Sequence, residues 1–259
     1  MSIMIHETAV VHPGARIADD VVIGPYAVIG EHVEIGPGSS VGPHAVIEGR
    51  TRIGAGNRIF QFASVGAIPQ DLKYHGEETR LVIGDRNLIR EFTTIHIGTE
   101  GGGGVTEIGN GNLFMAYSHV GHDSKVGNHA IFANCATLGG HVEVQDYAIL
   151  GGLSGVHQFT RIGCHCMISG GSMVGQDIPP YLIAQGDRAK PIGINIVGLR
   201  RRGLSDQAIL SVKEAFRLIF RSGLKRSEAF ARIAQEVEQT PELKIFMDFF
   251  ANSRRGIAR

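Results

Sequence analysis

The segment Ser118-His119-Val120-Gly121-His122-Asp123 puts two imidazoles and a carboxylate within five residues of one another. A histidine beside an aspartate can serve as a general base. The carboxylate fixes the imidazole tautomer and stabilises the cation formed when the ring takes a proton. His141, His157 and Gln158 add further polar groups downstream. No Gly-x-Ser-x-Gly or comparable nucleophile motif accompanies them, which disfavours a covalent intermediate. Clustered histidines can instead bind zinc, whose catalytic sites use up to three of them. They can also be exposed edge residues without a chemical role. His6, His12, His32, His44 and His129 each stand alone and read as surface residues. A second motif is the basic run Gly198-Leu199-Arg200-Arg201-Arg202-Gly203. Arginine forks grip phosphate oxygens through paired hydrogen bonds, so this run suits a diphosphate, or simply faces solvent. Neither an aromatic platform nor a long basic stripe accompanies it, which argues against nucleic acid.

These residues are positioned by a repeat. From Ile5 onward every sixth residue is Ile or Val through Val65. The register resumes at Ile83, Ile89 and Ile95 and, after a shift of one, runs again from Ile108 through Phe114, Val120, Val126, Phe132 and Leu138 to Val174. Glycine often follows, and a small or β-branched residue recurs four places on, as at Ala27, Val33, Ala45 and Ala63. Six is not a helical period, because helical residues so spaced point in different directions. A short strand and a bend repeated every six residues is the signature of a parallel β-helix. With three repeats per coil, Val120, Leu138 and Val156 are 18 apart and lie on one face of successive coils. The coils stack at about 4.8 Å, the ordinary inter-strand spacing. His119, His122, His141 and His157 then form a stripe along one edge of the prism.

Two segments interrupt the repeat, at about 67–82 and 97–107. Each is polar or glycine-rich and reads as a projecting loop, functional or merely tolerated. Beyond Val174 the repeat ends at Asp177-Ile178-Pro179-Pro180, and residues 181–204 read as irregular. Three helices follow: one capped by Ser205 and stopped by Gly223, one over 226–238, and one capped by Thr240 with Pro241 in its first turn. The expected architecture is therefore mainly β, with a β-helix over 1–187 and a small C-terminal α-helical domain over 188–259.

Glycine accounts for 36 of 259 residues and tryptophan is absent, which suits a narrow repetitive core. Net charge is zero, but residues 1–187 carry 10 basic against 18 acidic side chains, and residues 188–259 carry 15 against 7. The C-terminal part thus attracts anions, whether a phosphorylated small molecule or an acidic protein. No stretch is apolar enough to insert in a membrane and the N-terminal residues do not resemble a secretory signal. Cys135, Cys164 and Cys166 form no CxxC pair, and a reducing, cytoplasmic setting is the expectation.

The segments Gln61-Phe62-Ala63-Ser64, Gln70-Asp71-Leu72-Lys73-Tyr74, Ile89-Arg90-Glu91, His119-x-x-His122-Asp123, Gly140-His141-Val142, Val156-His157-Gln158-Phe159, Gln176-Asp177-x-Pro179-Pro180-Tyr181 and Arg201-Arg202-Gly203 occur in order along the chain, which ends with Phe249-Phe250-Ala251-x-Ser253-x-Arg255-Gly256. Together they resemble the acyl-carrier-protein–UDP-N-acetylglucosamine O-acyltransferases that open lipid A synthesis. The resemblance implies a left-handed β-helix, a homotrimer with its site between neighbouring prisms, and transfer of a (3R)-3-hydroxyacyl group from the carrier's phosphopantetheine to the sugar 3-hydroxyl. No separate cofactor and no metal is implied. The family's base falls on His122 with Asp123 as its partner, and its oxyanion donor falls on the Gly140 N–H. Substrate contacts fall on Asp71, Lys73, His119, His141, His157 and Gln158, and nucleotide or carrier contacts on Asn195, Arg201 and Arg202. Gly170 falls where the family measures acyl length, and the repeat puts it at a corner one coil beyond Leu150-Gly151-Gly152, near the His157 edge. Val197 departs from members that carry an acid there. The sibling N-acyltransferases have an additional N-terminal domain, for which a repeat beginning at Ile5 leaves no room. A metal-dependent β-helical hydratase of the carbonic anhydrase kind, or a non-catalytic β-helical scaffold, are the other readings.

Overall fold

The computed structural model describes residues 4–253 and 255–259. Most strands are two residues long, and apart from those at the ends each is hydrogen-bonded in parallel to the strand one coil before and one coil after it. They form three sheets of 11, 9 and 8 strands, the faces of a triangular prism. Val120 pairs with Leu138, Leu138 with Val156, and Val156 with Val174, as the spacing of 18 requires. The inward Ile and Val side chains are buried from Val21 onward. Among the described residues nothing packs beneath the coil that begins at Met4, and Ile5 stays 42% exposed.

The corners are turned by residues in the left-handed region, where side chains other than glycine are uncommon. Repetition makes the conformation useful, because rings stack along each edge. Between the first and second faces, Tyr26, His44, Phe62, Phe92 and Tyr117 follow one another at 4.8–5.2 Å. Between the second and third, the same position holds Asp123, His141 and Phe159. Between the third and first it holds His129, Tyr147, His165 and Tyr181.

Inside that last corner, at the position elsewhere filled by small residues, lie Asn57, Asn87 and Asn112, all buried. Asn57 Oδ1 accepts the Asn87 N–H at 2.9 Å, Asn87 Oδ1 accepts the Asn112 N–H at 2.9 Å, and Asn112 Oδ1 accepts the Ala130 N–H at 2.7 Å. Each carboxamide also donates to a backbone carbonyl, of Gly84, Gly109 and Gly127 respectively. The file is polar, buried and fully bonded, as a buried amide must be.

The chain leaves the prism after the strand Ser64–Ala67 and re-enters at Arg80–Ile83. It leaves again after Thr94–His96, makes a 3₁₀ turn over Glu100–Gly102, and re-enters at Val105–Ile108. Residues 181–204 are not irregular. Leu182–Gln185 adds in parallel to the first sheet, and Lys190–Ile194 folds back antiparallel against it. Leu182 and Ala184 are buried, an alternation too short to stand out in the sequence. Four helices follow: α1 (Ile196–Arg201), α2 (Asp206–Phe220), α3 (Arg226–Glu236) and α4 (Pro241–Ala251). Ser205 caps α2 by accepting the Ala208 N–H, and Thr240 caps α4 by accepting the Leu243 N–H. Among the described residues no helix is long and apolar enough to cross a membrane.

Candidate active site

The prism brings His119, His122, Asp123, Gly140 and His141 together at the edge between its second and third faces. His119 begins the strand His119–Val120, and the chain then turns through His122 and Asp123. One coil later the same turn supplies Gly140 and His141, whose N–H donates to the His122 carbonyl at 2.9 Å.

His122 Nδ1 lies 2.7 Å from Asp123 Oδ2. An ionised carboxylate only accepts, so Nδ1 carries the hydrogen and Nε2 of the neutral ring is left with its lone pair. Nε2 faces Gly140: a Cβ there would stand 2.6 Å from both Cε1 and Nε2 of His122. Among the described residues the Gly140 N–H has no acceptor. A basic nitrogen and an unengaged backbone donor thus sit side by side on adjacent coils. The His122 side chain is 15% exposed and that of Asp123 is sealed from solvent.

The second loop does the sealing. The Thr99 N–H donates to Asp123 Oδ1 at 2.9 Å, and the Thr99 hydroxyl donates to Oδ2 at 2.6 Å. Gly98 and Gly102 press on the same carboxylate. A Cβ at Gly98 would lie 2.8 Å from Oδ1, and one at Gly102 would collide with the carboxylate carbon. The Asp123 N–H donates to Thr106 Oγ1 at 2.8 Å. None of Thr94, His96, Thr99 or Thr106 was singled out in the sequence. The glycines of the loop were the one available signal.

Around this pair the imidazoles are kept neutral. His119 Nδ1 lies 2.7 Å from Thr94 Oγ1, and its ring meets His96 edge-on at 4.9 Å. Burial, and then the neighbouring His119 and His122, push His96 down to about 4. Burial and His122 also lower His119. His141 is lowered chiefly by burial, against the opposing pull of the Asp123 and Asp71 charges. Its Nε2 stands 3.8 Å from Asp123 Oδ2, and its ring stacks on Phe159 at 4.4 Å.

The other expected contacts are distributed more widely. His157 and Gln158 are exposed one coil above His141, on the same edge. Asp71 and Lys73 lie on the first loop, with the Lys73 N–H on Asp71 Oδ1 at 3.0 Å, and Leu72 between them is 99% exposed. Asn195 is buried; its Nδ2 donates to the His165 carbonyl and its Oδ1 accepts the Gly198 N–H at the start of α1. Arg201 is exposed, and the Arg202 guanidinium lies over the Tyr147 ring at 4.7 Å. Tyr147 and His165 belong to the third corner, so a single chain does not bring Asn195, Arg201 and Arg202 to His122. Gly170 lies on the first corner, its Cβ direction 3.3 Å from the Gly152 carbonyl. It is one coil beyond Gly152, but the second face separates it from the His157 edge, which corrects the placement near that edge.

Chemically the cluster can act as a base beside an anion-binding N–H. His122, Asp123 and His141 also bring three possible ligand atoms within 4.8 Å of one another, a spacing that can hold a metal ion. Asp123, however, already meets two donors from Thr99 and one from His122.

A prism of hexapeptides with an imidazole–carboxylate pair on its edge is the architecture of a hexapeptide-repeat transferase. The family model "Bacterial transferase hexapeptide (six repeats)" matches residues 2–37 and 106–140. The model "Udp N-acetylglucosamine O-acyltransferase; Domain 2" matches residues 177–258. LpxA from Acinetobacter baumannii is 48% identical, with 99% of this chain and 100% of that one covered and a TM-score of 0.95. LpxA from Bacteroides fragilis, a UDP-N-acetylglucosamine acyltransferase, is 45% identical over 99% and 100%, with a TM-score of 0.96. The Arabidopsis UDP-N-acetylglucosamine acyltransferase is 37% identical over 99% and 100%, with a TM-score of 0.85. The chain belongs to the UDP-N-acetylglucosamine acyltransferase family, and its prism is the left-handed β-helix of that family.

Proposed function

We propose that this acyltransferase moves a (3R)-3-hydroxyacyl group from acyl carrier protein to the 3-hydroxyl of UDP-N-acetylglucosamine, the first step of lipid A synthesis. The observation that carries the mechanism is the 2.7 Å pairing of His122 Nδ1 with Asp123, which turns a basic Nε2 toward Gly140. Nε2 takes the proton of the sugar 3-hydroxyl as its oxygen attacks the thioester carbon. Negative charge develops on the former carbonyl oxygen and is met by the Gly140 N–H, a donor type that supplies a few kcal/mol. Collapse breaks the C–S bond, forms the ester, and returns the proton from His122 to the departing sulfur. His119, His141, His157, Gln158, Asp71 and Lys73 line the approach. The reaction so written needs no metal and no cofactor beyond the phosphopantetheine on the carrier.

The active assembly is a homotrimer in this reading. Leu72 at the tip of the first loop packs on nothing in its own chain, and Arg201 and Arg202 sit at a different edge from His122. In a closed ring of three prisms these groups of one chain reach the site of the next. In the same ring Gly170, on the first corner, bounds the groove that takes the acyl chain between neighbouring prisms, with no side chain to shorten it. The setting is the cytoplasm, where nucleotide sugar and acyl carrier are both available.

The test is a thiol-release assay with purified protein, (3R)-3-hydroxyacyl carrier and UDP-N-acetylglucosamine. Thiol formed in step with acylated sugar nucleotide is the expected result. Release without the nucleotide, or none with it, overturns the reading.

A further inference from the structure

Thr99 occupies the N-cap position of the 3₁₀ turn Glu100–Gly102, yet its side chain makes no capping hydrogen bond. Its hydroxyl goes instead to Asp123 Oδ2 and its N–H to Oδ1. Thr99 is buried, and the carboxylate it holds lies 24 residues away in sequence. A hydroxyl that ignores its local partners for a distant carboxylate has been recruited by that carboxylate.

We propose that Thr99 is a positioning residue for acyl transfer, holding Asp123 so that one oxygen is aimed at His122 Nδ1. The proposal rests on His122 as the base. A carboxylate can rotate about its Cβ–Cγ bond, and His141 at 3.8 Å competes for the same Oδ2. Two donors from one residue, one on each oxygen, fix the plane of the carboxylate as a bidentate clamp does. Gly98 and Gly102 let the loop backbone close over the group, since a side chain on Gly102 would strike the carboxylate carbon. Thr99 itself is held by the turn: its carbonyl accepts the N–H of Gly102 at 3.1 Å and of Gly104 at 2.8 Å. The glycine-rich loop is thus a clamp on the acid behind the base, and Thr99 is its functional group.

The experiment compares Thr99→Val, which keeps the shape but loses the hydroxyl, with Thr99→Ser, which keeps the hydroxyl. Steady-state kinetics use (3R)-3-hydroxyacyl carrier and UDP-N-acetylglucosamine. The downfield proton resonance of His122 Nδ1–H, assigned by its loss in His122→Ala, reports the pairing directly. In Thr99→Val, kcat should fall about 10- to 100-fold, a loss of the size found when the groups that orient metal-ligating side chains from behind are removed. Both KM values should stay near wild type, and the resonance should move or broaden. Thr99→Ser should restore kcat and signal. Should the valine variant not fold, Thr99→Ser against Thr99→Ala gives the same comparison. Wild-type kcat in Thr99→Val, or equal losses with and without the hydroxyl, overturns the proposal. Full activity in His122→Ala instead overturns the base assignment on which it rests.

Discussion

The His122 ring lies directly against the α-carbon of Gly140, so close that a Cβ there would stand 2.6 Å from its Cε1 and Nε2. Gly140 is not in the left-handed region, so its backbone conformation admits alanine. Gly140→Ala should therefore fold normally and displace the ring. We expect a loss of turnover of about 100-fold or more, within the range for misplacing a general base. A melting temperature near wild type with kcat intact would show that the close approach is incidental.

Activity should survive exhaustive chelation. His122, Asp123 and His141 have a spacing that can hold an ion, but a base mechanism does not require one. Zinc near one per chain, with activity lost on its removal and restored on its return, would assign the site to metal-hydroxide chemistry.

Arg202→Ala and Arg201→Ala should raise KM for the nucleotide or the carrier more than they lower kcat, since both partners are anionic. The ratio to wild type should shrink as salt is added, because screening already weakens the native contact. Unchanged KM values at low salt would remove both arginines from the site.

Gly170→Met should shift preference toward a shorter hydroxyacyl chain. The glycine is exposed beside Gly152 and leaves its corner without a side chain. A methionine there fills the groove and rejects the longer chain by overlap. Competition between carriers loaded with ten- and fourteen-carbon groups, measured as a ratio of kcat/KM, decides the point. An unchanged ratio discards the role.

His96 gives stability a pH dependence. Its value falls from 6.5 to about 4, from burial first and then from His119 and His122. Between those limits the unfolded chain binds a proton that the folded chain refuses, so stability is full above pH 6.5 and declines as pH drops toward 4. Solvent screening holds the loss below the full value of that shift, at most about 3 kcal/mol per chain at the acid end. Lowered His119 and His141 add in the same direction. The urea midpoint should fall between pH 7 and pH 4.5, and less so in His96→Gln. Equal declines in both proteins would remove His96 as the cause.

The six-residue step that restarts at Ile108 was enough to place Val120, Leu138 and Val156 in register and His119, His122 and His141 on one edge, because the repeat is its own coordinate system. Outside the repeat, the helices that Ser205 and Thr240 cap were legible from those residues, but the loops and the connection to the helices were not. Thr99 reaches Asp123 from a loop whose path no periodicity describes. The hairpin over Leu182–Gln185 and Lys190–Ile194 is too short for alternation to declare itself. Asn195 stands beside the basic run, yet its side chain caps α1 and bonds to His165. The corner occupied by Gly170 depended on counting thirds of a coil, where a shift of two or three residues changes the edge.

The buried file of Asn57, Asn87 and Asn112 spans the coils from which both loops depart. Its links join residues 30 and 25 apart, where an uninterrupted coil needs 18. Stacking across each excursion is thereby set by a carboxamide inside the wall, independent of how many residues the excursion contains. The wall beneath the loops consequently keeps its phase across excursions of two different lengths. The phase of the wall is thus set by the file, and what covers Asp123 or projects at Leu72 is set by the loops alone.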